Sequence, residues 1–233
     1  MKKQTVSRVL FYLAGLLILA VGLTLNTKAG LGVSPIISVS YSTSVILGQN
    51  FGNMTFVLYG IFVVIELILH TVRILRGKGG DGKGKWLILV KDILQFPLSL
   101  VFTRFLNVFS GLIPDFSDGH FALRLTVLIL AIICTGIGAA LSLNMRIIPN
   151  PGDGIVQAIA DCINKSVGFT KNCFDLFNIC ITFTIGMVFT GGLVGIGIGT
   201  VLAMLGVGRV IALFNHVTYY QIGGMTGLIK VWN

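Results

Sequence analysis

The chain has 233 residues, 55% of them hydrophobic and only 11% charged, with a mean hydropathy of +0.93. A soluble domain carries about a quarter charged residues, so a water-soluble fold is excluded. The formal charge of +9 does not point to a nucleic-acid partner, because excess Lys and Arg in so apolar a chain mark cytoplasmic loops and contact with anionic lipid.

The apolar runs are long and continuous, as in 9–25 and 123–143. A β-barrel would instead alternate over strands of about ten residues. The class is therefore an all-α polytopic membrane protein, whose full spans need about 20 residues each. The N-terminal "MKKQTVSRVLFYLAGLLILAVGL" has the basic start of a signal peptide. Its apolar run is long for one, and no A-x-A-like site follows, so it is read as a retained first span. Further apolar segments fall at about 36–47, 54–75, 86–109, 122–144, 154–165, 172–190 and 194–215. Segments 36–47 and 154–165 are too short to cross a bilayer. Each follows a Gly/Pro-rich break, "GLGVSP" at 30–35 and "IPNPGDG" at 148–154.

The same order recurs in both halves. "GLTLN" at 22–26 matches "ALSLN" at 140–144, and Lys28 matches Arg146. The two breaks follow, and then Ile36 pairs with Ile155 and Asn53 with Asn172. Paired interrupted helices within a weak internal repeat are a transporter signature. Charge selects the topology. If both short helices are re-entrant, six spans result and only Lys28, Arg104 and Arg124 of the 17 Lys and Arg lie outside. If both cross, the basic residues divide almost evenly, so the positive-inside rule favours the first arrangement. The expected fold is six transmembrane helices plus two short re-entrant helices in an inverted-topology 3+3 repeat. Residues 1–110 form the first repeat, 111–121 an external loop, 122–216 the second repeat and 217–233 a cytoplasmic tail. Both termini are expected in the cytoplasm.

Irregular backbone at membrane depth must be packed in protein or line a wet cavity. Pro35, Pro149 and Pro151 stop helices. Asp153 and Ser34 are expected to cap the short helices that follow them. The positive ends of those helices suit an anion or a polar oxygen. Ser34, Pro35, Asn150, Asp153, Asn26 and Asn144 are therefore candidate solute ligands, the two span-end Asn residues alternatively satisfying broken backbone. Asp153 and, more weakly, Asp175 are candidate proton-coupling groups, since ionisable residues at this depth tend to be functional. Lys28 and Arg146 are anion-gate candidates that could equally snorkel to the interface. Glu66 and Asp92 are expected to pair with Arg73, Lys91 or water, and His216 to lie at the surface.

Cys134, Cys162, Cys173 and Cys180 lack zinc spacing and read as packing residues, so no metal or cofactor is expected. Gly191, Gly195, Gly199 and Ala203 recur every fourth residue and are expected on one helix face for close packing. The glycine run around them lacks the strand and acid of a dinucleotide fingerprint.

"AGLGVSP", "GDG", "LQFPLSLVF", "VGIGTVLAML" and "LFN", taken in order, resemble the YczE/YyaS/YitT family of bacterial membrane proteins over roughly residues 10–215. In that family an acid usually follows the first proline, whereas this chain has "SPII". The resemblance implies a plasma-membrane protein of transporter type without an established substrate. The leading expectation is a secondary transporter of a small organic solute, suited to an anion, with Asp153 carrying a proton if transport is proton-coupled. A passive channel and a non-transporting assembly or regulatory component are the rivals. No Walker motif, Ser/His dyad or H-E-x-x-H suggests an enzyme. The expected partners are the lipid bilayer and the solute, with self-association left open.

Overall fold

The computed structural model describes residues 2–77 and 82–228; residues 78–81 of the basic loop and 229–233 of the tail lie outside the described residues. The described residues form eight helices: α1 (Lys2–Lys28), α2 (Pro35–Leu47), α3 (Phe51–Leu75), α4 (Gly82–Leu112), α5 (Phe121–Asn144), α6 (Pro151–Ile163), α7 (Val167–Thr190) and α8 (Ile198–Thr226). Six of them (α1, α3, α4, α5, α7 and α8) are long and apolar enough to cross a membrane. This is the architecture of a multi-pass membrane protein. Helices α2 and α6 have 13 residues each. At 1.5 Å per residue each covers about 20 Å, short of a hydrocarbon core about 30 Å thick.

The helix ends follow local chemistry. Asn50 caps α3 by accepting from the Asn53 N–H at 3.0 Å, and Ser166 caps α7 by accepting from Phe169 at 3.3 Å. Gly191 ends α7 in the left-handed region at φ 67°, where glycine carries no side-chain penalty. Two expectations are corrected here. The stretch 191–197 is irregular, with Gly195 also at positive φ (79°), so Gly191 and Gly195 do not share a helix face with Gly199 and Ala203. The second short helix opens at Pro151, so Asp153 lies inside its first turn and Asn150 occupies the cap.

The chain divides into two compact units, and each draws on both halves of the sequence. Unit 1 comprises Met1–Ser34, Val108–Ile147 and Gly197–Asn233. Its helices α1, α5 and α8 meet through small residues. A Cβ on Gly22 would lie 2.4 Å from the Thr135 backbone nitrogen, and one on Gly138 2.3 Å from that of Leu19. Backbones this close are the small-residue packing of membrane helices. Gly15 meets Leu141 and Ser142 while Gly22 meets Cys134 and Thr135, so α1 and α5 run antiparallel. Ile132 meets Gly206, Gly136 meets Val210 and Asn144 meets Asn215, so α5 and α8 run parallel. Val127, Leu128, Ile132, Ala203 and Val207 form the core between them.

Unit 2 comprises Pro35–Asn107 and Ile148–Ile196. In it α2 packs on α7 and α3 on α6. Its interior is polar: Ser38, Ser40, Ser42 and Ser44 on α2 are all buried, as are Thr55, Glu66, Asp92, Gln95, Asp175 and Asn178. Large apolar residues such as Val64, Ile68, Phe177 and Val188 are exposed instead, the pattern expected of a surface solvated by lipid.

Candidate functional site

The first break lies in unit 1, and its backbone is satisfied by protein. The buried Asn26 accepts a hydrogen bond from the Ser34 N–H through Oδ1. Arg124 donates to the carbonyls of Ala29 and Gly30, and the Gly199 N–H donates to Leu31 O at 2.7 Å. Gly32, at φ +102°, lies against Gly197, where an added Cβ would come within 2.5 Å of its nitrogen. Every group named here is part of a packed turn. Asn26 serves broken backbone, one of the two roles its position allowed. Ser34 directly precedes Pro35, the first residue of α2.

Lys28 is half-buried, and its carbonyl accepts from Phe116 N at 3.0 Å. Its charge acts on Asp115 in the 113–120 loop, whose carboxyl is held below the ordinary carboxylate range chiefly by hydrogen bonds from Ser117 and then by Lys28. Asn144 donates to Asn215 Oδ1 at 2.7 Å, tying α5 to α8. Arg146 is exposed at positive φ (54°) and, with Asn144 and Thr218, lines a cavity of about 360 Å³ in unit 1. His216 is exposed, as expected of a surface residue.

The second break lies in unit 2 and behaves differently. Pro151 opens α6 at a position where its missing N–H is not needed. Asn150 O accepts from the N–H groups of Asp153 (2.9 Å) and Gly154 (2.8 Å). The Asn150 side chain makes no capping bond, and its buried Oδ1 has no partner among the described residues. A Cβ on Gly152 would lie 2.9 Å from Ile36 and 3.6 Å from the Tyr59 hydroxyl. The first turns of α2 and α6 therefore meet, with Tyr59 of α3 beside them. The Tyr59 ring stacks on Phe102 at 6.2 Å between centroids.

Asp153, half-buried in the first turn of α6, is where the helix dipole favours a negative charge. The charges of Lys171 and Asp175 on α7 act on it. Asp175 is fully buried and accepts from Lys171 at 2.9 Å through Oδ2, leaving Oδ1 unpartnered. Beside Gly154, the next residue of α6, Gln95 of α4 donates to Glu66 Oε2 at 2.7 Å. Both side chains are buried, and Glu66 Oε1 and Gln95 Oε1 have no partner among the described residues. Of the expected partners of Glu66 and Asp92, Arg73 is engaged elsewhere, binding Asp161 at 2.8 Å, and Asp92 meets His70 at 2.7 Å.

Among the described residues five buried oxygens thus lack partners: Ser42 Oγ, Glu66 Oε1, Gln95 Oε1, Asn150 Oδ1 and Asp175 Oδ1. All five belong to unit 2. Buried polar groups in a closed, dry protein are nearly always hydrogen-bonded. Four of the five are acceptors only, and the fifth is a hydroxyl. The arrangement suits a ligand that brings donors. Among the described residues no group of three or more His, Cys, Asp or Glu could hold a metal ion. Glu66, Gln95 and Tyr59 were not singled out as site residues from the sequence. The available signal was Glu66 itself, a lone acid inside the apolar run "IFVVIELIL".

The family model DUF6198, described as a family of unknown function, matches residues 6–216. This chain belongs to DUF6198. The match covers both breaks and every helix of the site. The chain is also similar to "Uncharacterized protein YyaS" of Bacillus subtilis (strain 168), at 25% identity over 212 residues, 88% of this chain and 90% of that protein. That match agrees with the YyaS part of the resemblance read from the motifs. No solved structure matches the chain.

Proposed function

We propose that this DUF6198 protein is a secondary transporter in the bacterial plasma membrane, built as an inverted repeat with a solute site inside unit 2. The observation that carries the reading is a pair of buried acceptors without partners among the described residues: Asn150 Oδ1, at the start of α6 where its first turn meets that of α2, and Asp175 Oδ1 on the adjoining α7. A structural scaffold has no reason to leave them so, whereas a transporter binds solute at interrupted helices. The solute is a small organic molecule rich in hydrogen-bond donors, cationic or zwitterionic. The anion preference inferred from the helix ends gives way, because Asp153 already faces one of those ends and the open atoms are acceptors. Asn150, Asp153, Tyr59 and Asp175 are its proposed contacts.

Helix directions support re-entrant α2 and α6. If α2 crossed the membrane, α1 and α5 would run parallel; if it does not, they run antiparallel, as they do. If α6 crossed, α5 and α8 would run antiparallel, but they run parallel. The pairing of α2 with α7 and of α3 with α6 exchanges into itself when the two halves are swapped, as an inverted repeat requires. The charge distribution supports a cytoplasmic location for both termini.

Solid-supported membrane currents test the reading. Proteoliposomes are exposed to a panel of small organic cations, zwitterions and anions, with wild type and Asp153→Asn compared. Saturable currents with donor-bearing solutes, abolished or strongly weakened in the variant, are expected. Non-saturating flux would favour a passive channel. Silence across the panel, together with a stable protein partner on purification, would favour an assembly component.

A further inference from the structure

We propose that Glu66 and Gln95 form a proton site, a carboxylic acid paired with a carboxamide across α3 and α4 and closed by Gly154 of α6. The pair has one hydrogen bond, Gln95 Nε2–H to Glu66 Oε2 at 2.7 Å. Its other two oxygens are buried and unpartnered. Both flank one point: a Cβ on Gly154 would lie 2.9 Å from Glu66 Oε1 and 3.0 Å from Gln95 Oε1. Two acceptors side by side are unstable as they stand, since each has lost its water. One proton on Glu66 Oε1 resolves both. It removes the carboxylate charge, and it supplies the O–H that Gln95 Oε1 accepts. The result is a cyclic pair with two hydrogen bonds, in which every polar atom is used.

The surroundings support a neutral Glu66. Among the described residues no ion pair includes it. Asp92 lies on α4 and is engaged by His70 of α3. Asp153 precedes Gly154 on α6 and is acted on by Lys171 and Asp175 of α7. Asp92 and Asp153 both act on Glu66 as like charges. When the proton leaves, the carboxylate repels Gln95 Oε1 and Asp153, and the contact with α6 loosens. This step rests on the transporter reading: it names the proton as the coupling ion and places it on Glu66, not on Asp153.

Infrared difference spectroscopy on the purified full chain in nanodiscs tests the pair without any solute. At neutral pH the wild type is expected to show a protonated-carboxyl C=O band that shifts in D2O. Glu66→Gln loses that band. Gln95→Leu keeps it but moves it to higher frequency, because a hydrogen bond to the C=O is gone. The swap Glu66→Gln with Gln95→Glu restores a band. If Glu66→Gln does not fold, the Gln95→Leu shift still decides the question. Identical carboxyl bands in wild type and Glu66→Gln, or no shift in Gln95→Leu, overturn the proposal. In proteoliposomes Glu66→Gln is expected to retain solute counterflow while losing uptake driven by a pH gradient. The infrared result stands or falls whether or not any solute is carried.

Discussion

The contrast between the two breaks comes down to single side chains. At the first break Asn26 Oδ1 accepts from backbone, while at the second the Oδ1 of the cap residue Asn150 has no partner among the described residues. Asp153, placed from the sequence as the centre of the chemistry, is one of several groups there, and the proton site proposed above is the Glu66–Gln95 pair beside Gly154. Lys171 and Asp175 illustrate the energetics. Removing one partner of a buried ion pair strands the other charge and costs about 3–5 kcal/mol. Lys171→Met is therefore expected to lower stability by about that much, and adding Asp175→Asn should recover most of the loss; thermal melts in detergent measure both. Gly154→Ala drives a methyl to within 3.0 Å of three oxygens. Helix propensity gains about 1 kcal/mol, but overpacking costs about 1–3 kcal/mol and the Gln95 bond is strained as well. A net loss of stability and a displaced Glu66 carboxyl band are expected. Asp153 could be found in the sequence because prolines and glycines announce it. Glu66 and Gln95 could not be paired, because they stand 29 residues apart on different helices and only packing brings them together.

Helices and breaks were more legible than partners. The six long apolar runs reappear as six span-length helices, because backbone at membrane depth must bond to itself and 20-odd apolar residues leave no alternative. The short helix 36–47 reappears as Pro35–Leu47. The glycine run after 190 was misread because a four-residue spacing looks helical. Gly191 instead takes a left-handed turn that stops α7, and the chain stays irregular to Gly197. Which glycines bring helices together could not be seen from spacing either. Gly138 presses on the Leu19 backbone, which cannot move aside, whereas a Cβ on Gly60 would meet only Phe96 at 3.6 Å. Gly138→Ala should therefore separate α1 from α5 and cost about 1–3 kcal/mol. Gly60→Ala should be neutral or stabilising by up to about 1 kcal/mol. Melting temperatures of the two variants in one detergent compare them directly, and equal behaviour would remove close glycine contact as the basis of the α1–α5 pairing.

At the scale of the whole molecule two independent lines meet on one topology. The distribution of Lys and Arg belongs to the sequence and concerns loops. The relative directions of α1, α5 and α8 belong to the packing inside unit 1 and concern helices. Both are accounted for by the proposed arrangement, in which the two 13-residue helices turn back without crossing. The choice has a sharp consequence at two loops. With α2 re-entrant, Gln49 at the α2–α3 turn and Asp118 in the acidic loop face outward; with α2 crossing, both face the cytoplasm. Asn164, after α6, is cytoplasmic in either case and serves as a control. In a variant with Cys134, Cys162, Cys173 and Cys180 replaced by Ala, single cysteines at 49, 118 and 164 can be treated in intact cells with a membrane-impermeant maleimide. Labelling at 49 and 118, with protection at 164 until the membrane is opened, is the expected result. Protection at all three sites would require eight crossings, and the inverted repeat would go with the six-span arrangement.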